Sequence, residues 1–114
     1  MSILEILKIL AGIATILTGM FSLFWPLRIL GFTGLEVKGG RGVTEIRAIL
    51  GGFFIGLGAA VLFLNEPAAY QTLGIAYLVV AVVRTISMFI DKSVVQSNII
   101  SVVAEVIFGI ILIL

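Results

Sequence analysis

The feature that most constrains the fold of this chain is the stretch Val43–Leu64, which is almost entirely apolar. It carries Glu45 and Arg47 near its start and has no charged residue from there to its end. A helix needs roughly 20 apolar residues to cross a hydrocarbon core about 30 Å thick. The stretch therefore predicts a transmembrane helix with two ionisable side chains towards one end.

The composition extends this prediction to the whole chain. Hydrophobic residues account for 61% of the 114 residues and charged residues for only 11%, whereas soluble domains carry about 25% charged residues. So few charges cannot cover a water-facing surface. The net charge of +1 argues against nucleic acid as a partner. The chain has no His and no Cys, which removes disulfides, thiolate nucleophiles and the usual zinc sites. We therefore expect no metal and no cofactor, and the sequence identifies no catalytic residue.

Further apolar runs complete a set of four predicted spans, which cover residues 9–27, 43–64, 68–90 and 97–114. Pro26 is expected to end the first span, and Asn65, Glu66 and Pro67 to form a tight turn. Residues 28–42 are predicted to be a flexible loop with room for a short helix at the membrane surface. The expected fold is all-α: a single domain over residues 1–114, folded as an up-and-down four-helix transmembrane bundle.

The distribution of Lys and Arg predicts the orientation. The loops at residues 28–42 and 91–96 carry four of these residues, and the opposite side carries Lys8 alone; the four are Arg28, Lys38, Arg41 and Lys92. By the positive-inside rule, both loops should lie in the cytoplasm and both termini outside. The sequence thus predicts a multi-pass protein of the cell inner (plasma) membrane.

Small residues predict where helices approach each other closely. Gly52 and Gly56 form a GxxxG motif that Ala60 extends by another turn. This motif usually marks a packing face in an apolar helix. We interpret the face as packing within the bundle, and a contact between copies in a homo-oligomer is the alternative. The first span has a similar stripe, formed by Ala11, Thr15, Gly19 and Ser22.

Four ionisable residues fall in the same half of the predicted bundle: Glu45, Arg47, Arg84 and Glu105. A charged side chain at the centre of a membrane helix costs roughly 2.5–3.5 kcal/mol on insertion scales, so these four are expected to face inward and pair. The predicted pair is Arg84 with Glu105. Glu45 and Arg47 would complete the network, although Arg47 could instead reach the headgroups.

Polar side chains at helical spacing extend this predicted network. Tyr77, Arg84, Ser87 and Asp91 share one face of the third span, and Asn98, Ser101 and Glu105 follow one stripe of the fourth. From these stripes we predict a polar network, or ligand-binding site, formed by Glu45, Arg47, Tyr77, Arg84, Ser87, Asp91, Ser101 and Glu105. Two interpretations stay open. The network could fix helix register only, or it could mark a ligand or proton path.

At these residues the chain resembles a family of small uncharacterised bacterial four-helix membrane proteins, distantly similar to the DoxX-like group. The matching residues are Glu45-Ile46-Arg47-Ala48 with Gly51-Gly52, then Arg84 with Ser87 and Asp91, then Glu105. Lys92 departs from the pattern, in which a glycine would follow the aspartate. The resemblance implies the four-helix fold and a shared polar cluster, and it implies no activity.

The sequence favours a non-enzymatic membrane protein, either an accessory subunit or a binder of lipid or of a hydrophobic, quinone-like small molecule. Its expected partners are membrane lipids and further copies of the chain. A small proton- or ion-coupled transporter that works as an oligomer is the alternative, although the first span has no charge between Lys8 and Arg28. An intramembrane enzyme is a third hypothesis, which the lack of His and Cys disfavours.

Overall fold

The computed structural model describes residues 1–114 and is all-helical. Its helices are α1 (Ile3–Phe24), α2 (Ile29–Thr33), α3 (Gly39–Leu64), α4 (Pro67–Ile90) and α5 (Gln96–Ile113). All but the short α2 are long and apolar enough to cross a membrane. The predicted all-α class with four membrane-length helices is confirmed.

The ends of the helices follow from local chemistry. Helix α1 begins ahead of the predicted first span because the Ser2 hydroxyl accepts the backbone N–H of Glu5 at 3.1 Å, which caps its first turn. It ends at Phe24, just before Pro26. Only Asn65 and Glu66 separate α3 from α4. Asn65 adopts a positive φ of 48°, and Pro67 occupies the start of α4, where its missing N–H costs nothing.

The segment 28–42 is more helical than predicted. The short helix expected at the membrane surface is present as α2, and Gly34 ends it with a φ of 75°. However, α3 already begins at Gly39, so the prediction of loop structure up to residue 42 is wrong. Contacts one turn apart stabilise this first part of α3. Arg41 pairs with Glu45, and the Thr44 hydroxyl donates to the carbonyl of Gly40 at 3.0 Å.

Within α3, residues Ile46–Phe53 form a π-helix. Its hydrogen bonds span five residues instead of four, so each turn contains more residues than an α-helical turn. The segment therefore changes which residues of α3 share a face. The apolar pattern of this stretch predicts a helix but not this feature.

The chain forms two compact units, residues 12–64 and residues 1–11 with 65–114. In the first unit, glycines bring α1 and α3 into backbone contact at two places. A Cβ atom built on Gly19 would lie 2.6 Å from the carbonyl oxygen of Gly51, and one built on Gly58 would lie 2.7 Å from that of Gly12. No side chain fits at either crossing. The predicted small-residue stripe of α1 is buried, with exposed fractions of 1–2% at Ala11, Thr15 and Ser22.

The interpretation of Gly52, Gly56 and Ala60 as the packing face of this helix is corrected by the structure. All three residues are exposed, and a Cβ built on Gly56 would meet no atom within 4 Å. Gly51 and Gly58 make the contacts instead. Gly51 and Gly58 are seven residues or about two helical turns apart, so they share a face of α3 that the GxxxG motif does not include.

The second unit is built on the hairpin of α4 and α5. The two helices cross at Gly74 and Gly109, where a Cβ on Gly74 would lie 3.0 Å from the carbonyl oxygen of Gly109. Four apolar side chains of these two helices are buried: Leu73, Ala81, Met88 and Leu112. A single domain over residues 1–114 stays a prediction.

Candidate functional site

An ion pair joins the two helices of the α4–α5 hairpin. The Nε of Arg84 donates to both carboxylate oxygens of Glu105, at 2.9 and 3.2 Å, and its Nη2 donates to Oε2 at 2.8 Å. The carboxylate is buried, and the arginine side chain is one-third exposed. A side-on guanidinium with two donors on one carboxylate is the strongest arrangement such a pair can adopt. The predicted pairing is therefore confirmed.

Asn98 is the third member of this cluster. Its Oδ1 accepts a hydrogen bond from Nη1 of Arg84 at 3.1 Å, while its Nδ2 donates to the carbonyl of Ser93 at 2.9 Å. Asn98 thus links the guanidinium to the connection between the helices. The predicted network did not include Asn98, although it lies on the same stripe of α5 as Glu105. Two helical turns separate the two residues, and that spacing was the available signal.

The guanidinium opens onto a cleft of about 390 Å³. Its lining combines three valines with four polar residues. The lining residues are Val79, Val80, Val83, Arg84, Ser87, Ser93 and Asn98. The valines, Arg84 and Ser87 recur at three- to four-residue intervals, so they share one face of α4. We call this space the Arg84 cleft.

The hydrogen bonding of Arg84 leaves donor capacity towards a ligand. A guanidinium has five N–H donors. The Nε–H, one N–H of Nη1 and one N–H of Nη2 are used by Glu105 and Asn98. One N–H on each terminal nitrogen remains. Because Glu105 balances the charge, the cleft offers hydrogen-bond donors without a net positive charge.

Three other predicted members of the network in α4 and α5 make contacts that do not involve Arg84 or Glu105. The Ser87 hydroxyl donates to the carboxylate of Asp91 on the next turn, and Ser101 donates to the carbonyl of Ser97 at 3.0 Å. Tyr77 packs edge-on against Phe108, with ring centroids 5.6 Å apart. Of these, Ser87 alone lines the Arg84 cleft.

Glu45 and Arg47 do not take the positions predicted for them. Both belong to the other compact unit, residues 12–64, and both are exposed. Glu45 is paired with Arg41, and Arg47 lines a separate cleft near Trp25. The prediction that the two side chains face inward is therefore wrong, and their part in the Arg84 network stays a prediction. Arg41, one turn away on the same helix, offers Glu45 a partner without burying either charge.

These features define a class: a small, multi-pass membrane protein of four long apolar helices that contains one buried ion pair. The chain belongs to the DUF4345 family, described as a domain of unknown function, and the family model matches residues 3–114. The expectation of an uncharacterised family is confirmed. No curated protein and no solved structure matches the chain.

Proposed function

We propose that the protein binds a lipid-soluble molecule in the Arg84 cleft and holds the polar end of that molecule at the guanidinium. The observation that carries the proposal is the position of Arg84. It is held by Glu105 and Asn98, yet it also lines a cleft whose apolar lining consists of valines. Pockets that combine an apolar wall with a few fixed polar groups are typical of small-molecule sites.

The charge balance narrows the class of ligand. A carboxylate or phosphate would meet a guanidinium that Glu105 has already neutralised, so it would gain little over its hydration in water. An uncharged acceptor, such as a quinone or ketone oxygen, needs only the two free N–H donors. We therefore propose an uncharged carbonyl compound with an apolar body, of which a quinone is the simplest representative.

Thermal stabilisation of the detergent-solubilised protein tests this proposal. The probe is a decyl-substituted benzoquinone, and decylbenzene serves as the matched compound that lacks the carbonyl oxygens. A ligand that binds the folded state alone raises the melting temperature as its concentration exceeds the dissociation constant. We expect the quinone to raise the melting temperature and decylbenzene to raise it less. Decanoate, which tests a carboxylate, should raise it no more than decylbenzene does.

Two valine variants test whether the quinone stabilises the protein by binding in the Arg84 cleft. Val83→Phe should fill the Arg84 cleft and abolish stabilisation by the quinone. Val82→Phe is the control, since Val82 is similarly exposed, at 58% against 61%, but does not line the cleft. If both variants respond to the quinone like the unmodified protein, or if decylbenzene stabilises equally well, the proposal is wrong.

The excess of positive charge in two loops also supports a proposal for the orientation of the protein. We propose that the loops 28–42 and 91–96 face the cytoplasm of a plasma membrane and that both termini lie outside. The support is the excess of Lys and Arg in those loops. We also propose a distant relationship to the DoxX-like group in bacteria. Its support is the set of matching residues around Glu45, Arg84 and Glu105.

A further inference from the structure

A second cleft, of about 320 Å³, lies in the unit formed by residues 12–64. Its lining comes from the end of α1, from the residues that follow α1, and from α3. The lining includes Trp25, Pro26, Leu27, Arg28, Val43 and Arg47. We call it the Trp25 cleft. The Arg84 cleft and its proposed ligand play no part in it.

The Trp25 cleft differs from the Arg84 cleft in its charge. It contains two guanidiniums, Arg28 and Arg47, and no carboxylate. Neither arginine makes a salt bridge or a side-chain hydrogen bond. Glu45, the acid nearest to Arg47 in sequence, is already paired with Arg41, and Glu36, the acid nearest to Arg28, does not line the cleft. Two unpaired positive charges beside one cleft favour a ligand that carries negative charge.

Packing within the unit holds the two arginines at the same cleft. Gly51 lies against the backbone of Leu23, and a Cβ there would be 3.1 Å from the Leu23 Cα. This contact fixes α3 against the end of α1. Arg47 precedes Gly51 by about one turn and therefore lies beside the residues that follow Leu23. Trp25 is packed against Phe21 and Phe24, with ring centroids 5.7 and 6.1 Å away.

The surroundings show what kind of anion fits. Tryptophan is enriched where a membrane meets water, and long arginine side chains reach the same level. The cleft also has apolar walls beside the two guanidiniums, from Phe24, Leu27 and Val43. A free phosphate ion would use the charges but not these walls. A phospholipid would use both, with its phosphate at the arginines and its acyl chains along the apolar residues.

We propose that the Trp25 cleft binds an anionic phospholipid, with Arg28 and Arg47 holding its phosphate group. Guanidiniums pair with phosphate through two parallel N–H···O bonds, which suits this role. Basic pockets between membrane helices are typical sites for anionic headgroups.

Trp25 provides the test, because it is the only tryptophan of the chain. The detergent-solubilised protein is titrated with short-chain phosphatidylglycerol that carries bromine on its acyl chains, and quenching of tryptophan fluorescence is recorded. The same titration with brominated phosphatidylcholine measures binding that does not depend on net lipid charge. We expect saturable quenching at lower concentration with phosphatidylglycerol.

Three variants assign the effect to the arginines. Arg28→Gln and Arg47→Gln should each weaken phosphatidylglycerol binding about tenfold, the effect of one charge-assisted hydrogen bond. Lys38→Gln is the control, since it removes an exposed positive charge of the same unit that does not line the cleft. Far-ultraviolet circular dichroism checks that each variant is folded, and Arg47→Lys should retain part of the preference because it keeps the charge.

Three results would overturn the proposal. The first is equal quenching by the two lipids. The second is a loss in Lys38→Gln as large as in the arginine variants. The third is displacement of phosphatidylglycerol by inorganic phosphate at equal phosphate concentration, which would show a site for the free ion instead of the lipid.

Discussion

Arg84 is the residue on which the proposed function depends, because its charge is satisfied while part of its hydrogen-bonding capacity is not. Glu105 and Asn98 take up three of its N–H groups. A guanidinium held in this way is pre-organised, so a ligand does not have to order it on binding. The same contacts make the pair a stabilising element, and mutation can separate the two roles.

Removing one partner of the pair should destabilise the fold more than removing both. Truncating one member of a buried ion pair costs about 3–5 kcal/mol. Because the arginine side chain is one-third exposed, we expect Arg84→Met to cost about 3 kcal/mol or less. Glu105→Gln should cost less, since glutamine keeps the shape and still accepts a hydrogen bond. Thermal unfolding in detergent measures each loss.

The double variant Arg84→Met with Glu105→Gln completes the cycle. It leaves no unpaired charge, so it should be more stable than the sum of the two single losses predicts. Additive losses would mean that the pair contributes no coupling energy. If stability recovers while the response to the quinone is lost, the pair also acts in binding.

At this scale the sequence predicted the pair but not its surroundings. Arg84 and Glu105 are costly in an apolar helix unless they meet, and this requirement links them across the α4–α5 connection. Asn98 is uncharged and therefore costs less in an apolar helix than an ion does, and Glu45 and Arg47 are exposed, so neither needs a buried partner. Their contacts depend on side-chain positions that the sequence pattern does not determine.

At the scale of helices, the crossings of α1 with α3 depend on Gly12, Gly19, Gly51 and Gly58. The GxxxG motif indicated that α3 carries a close-packing face, but it indicated the wrong residues. Gly51 and Gly58 make the contacts with α1, whereas Gly52, Gly56 and Ala60 are exposed. Both sets recur at helical spacing, so the position of the face could not be predicted from spacing alone.

Substitution of glycine by alanine should have opposite effects on stability at a helix crossing, as at Gly19, and at an exposed position, as at Gly56. An added Cβ at Gly19 would lie 2.6 Å from a carbonyl oxygen and 2.8 Å from the backbone nitrogen of Ile55. Neither atom can move without shifting α3, so Gly19→Ala should destabilise by about 1–3 kcal/mol. At Gly56 the space is open, and alanine should stabilise by about 0.5–1 kcal/mol through its better helix propensity.

Thermal unfolding of Gly19→Ala and Gly56→Ala in the same detergent compares these signs directly. A loss of stability at Gly56 of similar size to that at Gly19 would contradict the assigned faces. Size-exclusion chromatography with light scattering should be run on both variants. If Gly56→Ala changes the oligomeric state, the exposed stripe of Gly52, Gly56 and Ala60 is a contact between copies.

At the scale of the whole molecule, the four apolar helices follow directly from composition, whereas their orientation depends on few charges. The chain has no native cysteine, so single cysteines can be introduced for accessibility labelling in intact cells. We expect Lys38→Cys and Lys92→Cys to be protected from a membrane-impermeant maleimide and Glu66→Cys to react. Reaction at positions 38 and 92 with protection at position 66 would show that the orientation is the reverse of the one proposed.

NMR of ¹⁵N-labelled arginine side chains shows whether Arg84 receives the polar end of an uncharged ligand. The chain has four arginines, and Arg84→Lys assigns the signals of Arg84 by their loss. On titration with the decyl-substituted benzoquinone, the Nη resonances of Arg84 should shift in a saturable way. Its Nε resonance should change little, because Glu105 keeps that hydrogen bond. Decylbenzene should leave all of these signals in place. Arg84 resonances that stay unchanged at saturating quinone would contradict the account.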